Sequence, residues 1–358
     1  MKKKRNKQKL DILSILIIIV LAIALVLAIV LGVLMLKGKS KEVPETESFT
    51  VEKTLEETSK TTADNNSSMT TDKWQEGTIL YNNKRYKYNT DQDVFLLMGI
   101  DNDNPIEEAE DYVHGGQSDA IFLLVVNREK ESMFVVPIHR NTMTKIFTCD
   151  ADGTASGYTT AQICVQHGFG DGKKLSCRRT VDAVSNMFYG IPINGYIAMN
   201  MGGVPAMNDA IGGVKVKVLQ DIQKEDASLT KGEETTLSGK EAYYYLRYRD
   251  INEYDSASGR LERQNQYINA YISKLKKALA DGSISGGALF NAVSDYVVTD
   301  LTVAEFIGKV GFYQYDSNNM YTLPGEVKMG ERFEEFYLNE DAFYEMILKL
   351  FYVEVKED

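Results

Sequence analysis

An uncharged apolar run of 25 residues, from Ile12 to Leu36, constrains this chain more than any other feature of its sequence. It is longer than the roughly 20 apolar residues that a helix needs to cross a hydrocarbon core. Six lysines and arginines precede it between Lys2 and Lys9, and such cationic segments stay on the cytoplasmic side. The sequence therefore predicts a single-pass helix in the cytoplasmic membrane, with the N-terminus in the cytoplasm and the C-terminal part outside.

A cleaved signal peptide is the alternative interpretation of this segment. Its apolar region would be shorter and would end at a small-residue cleavage site. Here the apolar run continues into Lys37, Gly38 and Lys39 instead. These features favour an uncleaved anchor.

The chain divides by composition into a basic tail (1–11), the anchor (12–36), a stalk (37–75) and an extracytoplasmic domain (76–358). The stalk is rich in Thr, Ser, Glu and Lys, a composition that buries too little apolar surface to fold. Beyond the start of the anchor, acidic side chains exceed basic ones by about sixteen. We therefore expect no nucleic acid among the general partners, because polyanions bind positive surfaces.

Three short apolar runs, Val94–Ile100, Ala120–Val126 and Met133–Ile138, are bounded by Gly, Asp and Asn. This pattern predicts buried strands. Pro137 lacks the N–H that a central strand needs, so we expect it near a sheet edge or a strand end.

Helical patterns follow the strands, and Ser238 with Glu241 three residues later forms a capping box at the start of one of them. The alternation of strands and helices predicts a layered α/β core. The predicted helices are Thr180–Phe188, Pro205–Ala210, Gly239–Leu246, Leu261–Leu279 and Asp341–Phe351.

Arg247 and Arg249 flank Tyr248 just after the capped helix. If the chain is extended at this point, both guanidinium groups lie on the same side of the backbone. The pattern then predicts two arginines that face one anion.

Arg260, Arg263 and Gln264 lie at the start of the long predicted helix, where free N–H groups already favour anions. Arginine is unfavourable there unless something negative lies among these groups. With Arg140 after the third strand, the cluster is typical of a phosphate or pyrophosphate clamp. The alternative is a set of weak surface ion pairs. The acidic neighbours available for such pairs are Asp250, Glu253, Asp255 and Glu262.

Two carboxylates lie at the ends of predicted strands. Asp101 follows the first strand and Asp119 precedes the second, so we expect both at one edge of the sheet. Such a pair suits a hard cation such as Mg²⁺. In the alternative interpretation Asp101 caps a turn.

Seven motifs between Asp93 and Lys277 together resemble the LytR-CpsA-Psr family of bacterial envelope proteins. No single motif is specific to the family. The order of the seven motifs, together with the N-terminal anchor, is highly specific. The motifs are FLLMGID, SDAIFLLVVN, VVPIHRNTM, INGYIAMN, MNDAIGGVKV, LSGKEAYYYLRYRD and GRLERQ.

This resemblance implies a three-layer α/β/α domain with a central mixed sheet and a phosphotransferase activity outside the membrane. The implied reaction moves an anionic glycopolymer, of teichoic acid or capsule type, from a polyprenyl-pyrophosphate carrier to peptidoglycan. A pyrophosphatase side activity is a further expectation. The resemblance also implies a long apolar pocket for the lipid, although ordinary core packing is the alternative role of its candidate residues. These are Phe95, Leu97, Phe122 and Leu124.

The resemblance also assigns roles to single residues. Asp101 and Asp119 would hold Mg²⁺ or Mn²⁺, and Asp119, Arg140 and Arg249 would be catalytic. The implied pyrophosphate-binding residues are Arg140, Arg247, Arg249, Arg260 and Gln264.

The chain departs from the family pattern at two places. It has Gln117-Ser118-Asp119 where Arg-Ser-Asp is usual, and His139-Arg140-Asn141-Thr142 where Pro-Arg-Asp-Thr is usual. An amide cannot accept a proton as a carboxylate does, although His139 is a candidate for that task. His139, Asn141 and Arg263 have no assigned role at this point. The alternative function is therefore a catalytically weak or noncatalytic binder of the polyprenyl-pyrophosphate carrier, acting as a regulator of envelope biogenesis.

Cys149, Cys164 and Cys177 lie within 29 residues of an exported segment. One disulfide of unassigned pairing is expected there. A Zn²⁺ site that includes Cys164 and His167 is the alternative.

Overall fold

A computed structural model of the chain describes residues 78–250 and 252–355. The predicted tail, transmembrane helix and stalk (1–75) lie outside the described residues. Among the helices of the described ranges, none combines the length and the apolar character required to cross a membrane.

The strands of the described chain are β1 (Thr78–Tyr81), β2 (Lys84–Tyr88), β3 (Gln92–Ile100), β4 (Ser118–Asn127), β5 (Ser132–Ile138), β6 (Met143–Cys149), β7 (Ala155–Gln162), β8 (Gly195–Asn200), β9 (Val214–Lys217), β10 (Glu234–Leu237), β11 (Val297–Thr299), β12 (Gln314–Met320), β13 (Gly325–Met329), β14 (Glu334–Leu338) and β15 (Tyr352–Val355). The α-helices are α1 (Lys174–Met187), α2 (Val204–Ala210), α3 (Gly239–Arg247), α4 (Ser256–Ala280), α5 (Gly286–Val293), α6 (Val303–Phe312) and α7 (Glu340–Phe351).

The central sheet has six strands in the order β11-β8-β3-β4-β5-β12. The pairs β3–β4, β4–β5 and β8–β11 are antiparallel, whereas β3–β8 and β5–β12 are parallel. The expectation of a central mixed sheet is therefore confirmed. Pro137 pairs with Phe122 of β4, two residues beyond the last partner of β12 on β5, which is Val135. The strand-end position predicted for Pro137 is also correct.

Both faces of this sheet are covered by helices, which explains why its strands are continuous apolar runs. Side chains such as Leu96 and Leu123 pack on one face with residues of α1 and α7. Phe122 and Leu124 pack on the other face with residues of α3 and α4. The described domain thus has helices, sheet and helices in three layers.

The helices begin earlier than the apolar periodicity indicated. α1 begins at Lys174 rather than Thr180, and α4 at Ser256 rather than Leu261, because the residues that open these helices are mostly polar or small and show little apolar periodicity. The start of α3 is as predicted: the Ser238 hydroxyl accepts a hydrogen bond from Glu241 N–H, and the Glu241 carboxylate accepts one from Ser238 N–H.

Four smaller sheets surround the central one: β1-β2-β15, β6-β7, β9-β10 and the hairpin β13-β14. The hairpin lies against the end of β5. Phe336 N–H donates to the Asn141 carbonyl at 2.8 Å, and Thr142 forms an isolated bridge with Phe336. This contact brings a late part of the chain to the edge where the candidate site lies.

The prediction of a disulfide is wrong, since Cys149, Cys164 and Cys177 are all free and buried. Each sulfur lies in a separate environment. Cys149 Sγ is 3.4 Å from the Tyr112 carbonyl, and Cys177 Sγ is 3.7 Å from His167 Nε2. The Zn²⁺ alternative is wrong as well, because no group of three or more His, Cys, Asp or Glu in the described ranges is arranged to hold a metal ion.

Candidate active site

Asp101 and Asp119 lie at the same edge of the central sheet, as expected from their positions at strand ends. Asp101 N–H donates to the Gln117 carbonyl at 2.9 Å. In the ladder of β3 and β4, Ile100 pairs with Ser118 and Gly99 with Ala120. Asp119 is therefore the extra residue of a β-bulge, a feature that redirects a side chain at the rim of a sheet.

The Asp119 carboxylate joins two arginines from different elements. Its Oδ1 is 2.8 Å from Nε of Arg140, which follows β5, and its Oδ2 is 2.7 Å from Nη1 of Arg260, in the second turn of α4. The three side chains are 8–14% exposed. Burial lowers the pKa of Arg260, against the opposing effect of Asp119. Nη2 of Arg260 is buried without a hydrogen-bond partner among the described residues, so this edge has a free donor for an anion.

Arg247 lies at the more exposed side of the site. Its Nη1 is 3.0 Å from Asp103 Oδ2, and its Nη2 is 3.8 Å from Asp101 Oδ1. Tyr243, one turn earlier on α3, donates its hydroxyl to Asp103 Oδ1 at 2.8 Å. About half of the Arg247 side chain is exposed, so a ligand can displace these surface contacts at low cost.

Arg249 binds a different carboxylate. Its Nη2 donates to Glu334 Oε2 at 3.2 Å and its Nε to Ser256 Oγ at 2.9 Å. The predicted extended conformation around Tyr248 does not hold at Arg247, because Arg247 is the last residue of helix α3. The two arginines therefore pair with separate acidic groups instead of sharing one side of a strand.

Gln264 and Arg263 have different surroundings although they are adjacent. The Gln264 amide donates to the Leu246 carbonyl at 3.4 Å and lines an apolar cavity. The guanidinium of Arg263, which is 1% exposed, donates to the carbonyls of Tyr245 and Tyr248, among others. Burial lowers the pKa of Arg263 to about 10. Arg263 therefore stabilises the end of α3 and has no donor directed at a substrate.

Two of the three residues that depart from the family pattern, Gln117 and Asn141, accept hydrogen bonds from Arg140. Asn141 Oδ1 accepts from Arg140 Nη1 at 3.2 Å, and Gln117 Oε1 accepts from Nη2. Neutral amides thus orient this guanidinium, while Asp119 supplies its negative partner.

His139 is buried and stacks on Phe336, with the ring centroids 4.9 Å apart. Its Nδ1 accepts from Asn141 N–H at 3.2 Å, which leaves the proton of the neutral ring on Nε2, 3.3 Å from Ser258 Oγ. Ser258 in turn donates to Asp255 Oδ1. Burial lowers the pKa of His139 to about 4. Because both ring nitrogens are engaged, the geometry does not favour His139 as a proton acceptor for substrate.

An apolar cavity of about 1500 Å³, counting its opening to solvent, lies between the sheet and helices α2, α4, α5 and α6. Leu97, Phe122 and Leu124 line it, whereas Phe95 does not. Gln264 and Leu246 also line it, and both belong to the helices that carry Arg260 and Arg247. The cavity and the arginine cluster are therefore adjacent.

The donor set at this edge suits a hard divalent cation. Mg²⁺ is usually held by one or two carboxylates together with substrate phosphates and water. Asp101 is about half exposed and Asp119 lies in the bulge beside it. These two residues fit that pattern, although both carboxylates contact arginines.

Sequence reasoning missed three residues of the site: Asp103, Tyr243 and Glu334. Asp103 lies in the same loop as Asp101, and Tyr243 precedes Arg247 by one helical turn, a signal that was available. Glu334 follows the last family motif by more than fifty residues. Nothing in the local sequence connects it with Arg249.

An arginine cluster, two carboxylates at one sheet edge and an adjoining apolar cavity thus lie together, an arrangement with donors for an anionic group beside space for an apolar one. A sequence model of the LytR_cpsA_psr family matches residues 48–349. The chain belongs to the LytR-CpsA-Psr family.

Among its relatives are proteins named polyisoprenyl-teichoic acid–peptidoglycan teichoic acid transferase TagU. The protein from Halalkalibacterium halodurans is 33% identical over 215 residues, which cover 59% of this chain and 62% of the relative. The Bacillus cereus protein is 28% identical over 260 residues, covering 71% and 76%. The chain spans about three fifths of the length of the first curated relatives it matches.

Solved structures support the fold. Bacillus subtilis TagV has a TM-score of 0.56 at 22% identity, over 73% of this chain and 97% of that one. TagT bound to LI-WTA has a TM-score of 0.55 at 24% identity, over 73% and 90%. The α/β architecture is therefore that of known family structures.

Proposed function

We propose that this protein is a membrane-anchored phosphotransferase. It attaches an anionic glycopolymer, carried on polyprenyl pyrophosphate, to peptidoglycan on the outer side of the cytoplasmic membrane. The observation that carries the proposal is that the arginine cluster and the apolar cavity are adjacent, because one ligand with a pyrophosphate head and a lipid tail could occupy both. The transferase names of the TagU relatives support the reaction class.

In this reaction a sugar hydroxyl of peptidoglycan attacks the phosphorus attached to the glycan. A new P–O bond forms, the bond to the bridging pyrophosphate oxygen breaks, and polyprenyl phosphate leaves, while the hydroxyl proton passes to solvent or to the leaving phosphate. Arg140, Arg249 and Arg260 bind the phosphate oxygens and stabilise the charge that develops on them. Because such transition states are loose, positioning and charge dominate over base catalysis. A neutral Asn141 is therefore compatible with transfer.

Asp101 and Asp119 would hold a Mg²⁺ or Mn²⁺ ion. When bound, the ion supplies Lewis-acid stabilisation of phosphate charge. Asp119 also pairs with Arg140 and Arg260, and Asp101 lies 3.8 Å from Arg247. A cation held by these two carboxylates would therefore leave guanidinium donors for the phosphates.

The test mixes the purified extracytoplasmic domain with a polyprenyl-pyrophosphate-linked glycan, peptidoglycan and Mg²⁺, and measures covalent polymer on the peptidoglycan. We expect transfer that EDTA abolishes and that Mg²⁺ or Mn²⁺ restores. Reactions without acceptor measure hydrolysis, which a pyrophosphatase side activity predicts. If the domain binds the lipid-linked glycan tightly but transfers none of it to peptidoglycan, the proposed enzymatic activity is disproved.

The second candidate function is a noncatalytic binder that regulates envelope biogenesis. The neutral residues Gln117 and Asn141 beside Arg140 favour it. It predicts retention of lipid-linked glycan without turnover. Comparison of the wild type with N141D separates the candidates: an enzyme transfers the glycan with Asn141 in place, whereas a binder gives no transfer as wild type and gains it, if at all, only in the N141D variant.

A further inference from the structure

Glu334 is a buried carboxylate on the hairpin β13-β14, and both of its oxygens are used at the candidate site. It is 8% exposed. Oε2 accepts from Arg249 Nη2 at 3.2 Å, and Oε1 accepts from the backbone N–H of Asp255 at 2.5 Å. A buried carboxylate that accepts from a charged group with one oxygen and from a backbone N–H with the other restricts the positions of both donors.

The contacts of Arg249 occupy one edge of its guanidinium. Nε donates to Ser256 Oγ and Nη2 to Glu334. Nη1 has no hydrogen-bond partner in the part of the chain that the structure describes, and about a quarter of the side chain is exposed. Ser256 and Glu334 thus fix one edge of the group and leave the other nitrogen for a ligand.

The second partner of Glu334 is the residue just before α4. Asp255 has a φ of 58°, in the left-handed region, which is costly for a residue other than glycine and needs support from its surroundings. Helix α4 starts at the next residue and carries Arg260, which binds Asp119. Glu334 therefore connects Arg249 with the helix that presents Arg260.

The hairpin itself is attached to the same edge of the domain. The Glu334 carbonyl accepts from the Gln162 amide at 2.6 Å. Phe336 stacks on His139 and donates its N–H to the Asn141 carbonyl. Glu334 is consequently held in place from β7 and from the end of β5, independently of Arg249.

We propose that Glu334 is a positioning residue for the transfer reaction, one that sets the orientation of Arg249 toward the substrate phosphate and its distance from Arg260. The inference rests on the proposed function. Its consequence is that the hairpin β13-β14, which lies outside the stretch of family motifs, is part of the active site. An arginine displaced by about 1 Å can lower a rate by about 100-fold.

The experiment compares Glu334→Gln and Glu334→Ala with the matched control Glu335→Gln. Glu335 is the next residue of β14 and accepts from the Tyr337 hydroxyl on the other side of the hairpin. Gln at position 334 keeps an acceptor for Asp255 N–H but loses the charge that holds Arg249. Circular dichroism and urea unfolding check that each variant is folded.

We expect kcat to fall about 10-fold in E334Q and about 100-fold in E334A. KM should change less than about threefold, and E335Q should resemble the wild type. In an R249A background, E334Q should add little further loss, because the two residues act through one group. Equal losses of activity in the presence and absence of Arg249 would overturn the proposal, since they indicate a purely structural role.

Binding of inorganic pyrophosphate with Mg²⁺, measured by calorimetry, separates this proposal from the proposed function. Wild-type protein that binds neither pyrophosphate nor a prenyl pyrophosphate contradicts the function itself. Wild-type binding and transfer together with unchanged kcat in E334Q and E334A contradict only the role of Glu334.

Discussion

Asp119 accepts a 2.7 Å hydrogen bond from Arg260, a residue 141 positions later in the chain. The same carboxylate binds Arg140 through its other oxygen. One bulge residue of the sheet therefore fixes a guanidinium at the end of β5 and another at the start of α4. This arrangement orders the centre of the site before any ligand binds, and its stability depends on a single carboxylate.

Asp119→Ala should destabilise the fold by about 3–5 kcal/mol, because it leaves two largely buried arginines without their negative partner. Asp119→Asn should cost less, since the amide keeps an acceptor. Asp103→Ala, which removes an exposed partner of Arg247, is the control and should cost no more than about 1 kcal/mol. Urea unfolding at pH 7 measures all three. A D119A variant as stable as D103A would contradict this view of the pair.

Because His139 is buried, we expect the folded protein to lose stability in acid. Burial holds its pKa at about 4, with Asp255 raising it and Arg140, Arg260 and Arg249 lowering it further. The ordinary value near 6.5 applies to the unfolded chain, which therefore binds the proton first as the pH falls. Folding weakens from about pH 6.5 down to about pH 4, by up to about 3 kcal/mol.

His139→Gln should flatten this part of the pH-stability curve. His114→Gln, which replaces an exposed histidine that pairs with Asp111, controls for the loss of a histidine elsewhere. The buried His167 is present in wild type and H139Q alike, so it does not account for the difference between their curves. The same H139Q variant should retain most of its transfer activity at pH 7, because both ring nitrogens of His139 are engaged by groups of the protein itself. A parallel acid loss in H139Q and wild type would refute the assignment.

Local signals were sufficient for much of this fold. The apolar runs of β3, β4 and β5 are visible because both faces of each strand are buried, and the capping box at Ser238 marks a helix start through adjacent residues. Asp101 and Asp119 were expected at one edge because strand ends meet there. These inferences depend only on residues that are neighbours in the sequence, or on the fact that adjacent strands of a sheet end at the same edge.

The predictions that failed concern contacts between residues that lie far apart in the sequence or on different sides of one helix. Arg263 and Arg260 are both arginines of one helix start, yet one caps α3 and the other binds Asp119, a difference that depends on what packs against each side of α4. The partner of Arg249 lies 85 residues away on a hairpin. The cysteines illustrate a third case. The predicted export of the domain suggested a disulfide, but β6, the turn after β7 and α1 hold the three sulfurs in separate environments.

Three free thiols should be detected in the folded protein purified without reductant. Burial raises the pKa of Cys164 to about 11 and also raises that of Cys177, so few thiolates form at pH 8. We expect no reaction with iodoacetamide until urea is added, and then three adducts per chain by mass spectrometry. A single adduct, with an unmodified mass lower by two hydrogens, would instead reveal a disulfide.

Filling the apolar cavity should separate tail binding from head binding. Ile268 lines the cavity from α4, one turn beyond Gln264, and Ile268→Trp places a bulky ring in that space without changing the arginines. Each buried methylene of a ligand tail contributes about 0.8 kcal/mol, so loss of even two of them lowers affinity about 10-fold. Glu262→Trp, at an exposed position of the same helix, is the control.

Calorimetry with geranylgeranyl pyrophosphate and with inorganic pyrophosphate makes the comparison. We expect I268W to bind the prenylated ligand at least about 10-fold more weakly than E262W does, while both bind pyrophosphate like the wild type. Equal affinity of I268W and wild type for the prenylated ligand would place the tail outside this cavity. Weakened pyrophosphate binding in I268W would mean that the cavity wall also sets the geometry of the arginines through α4.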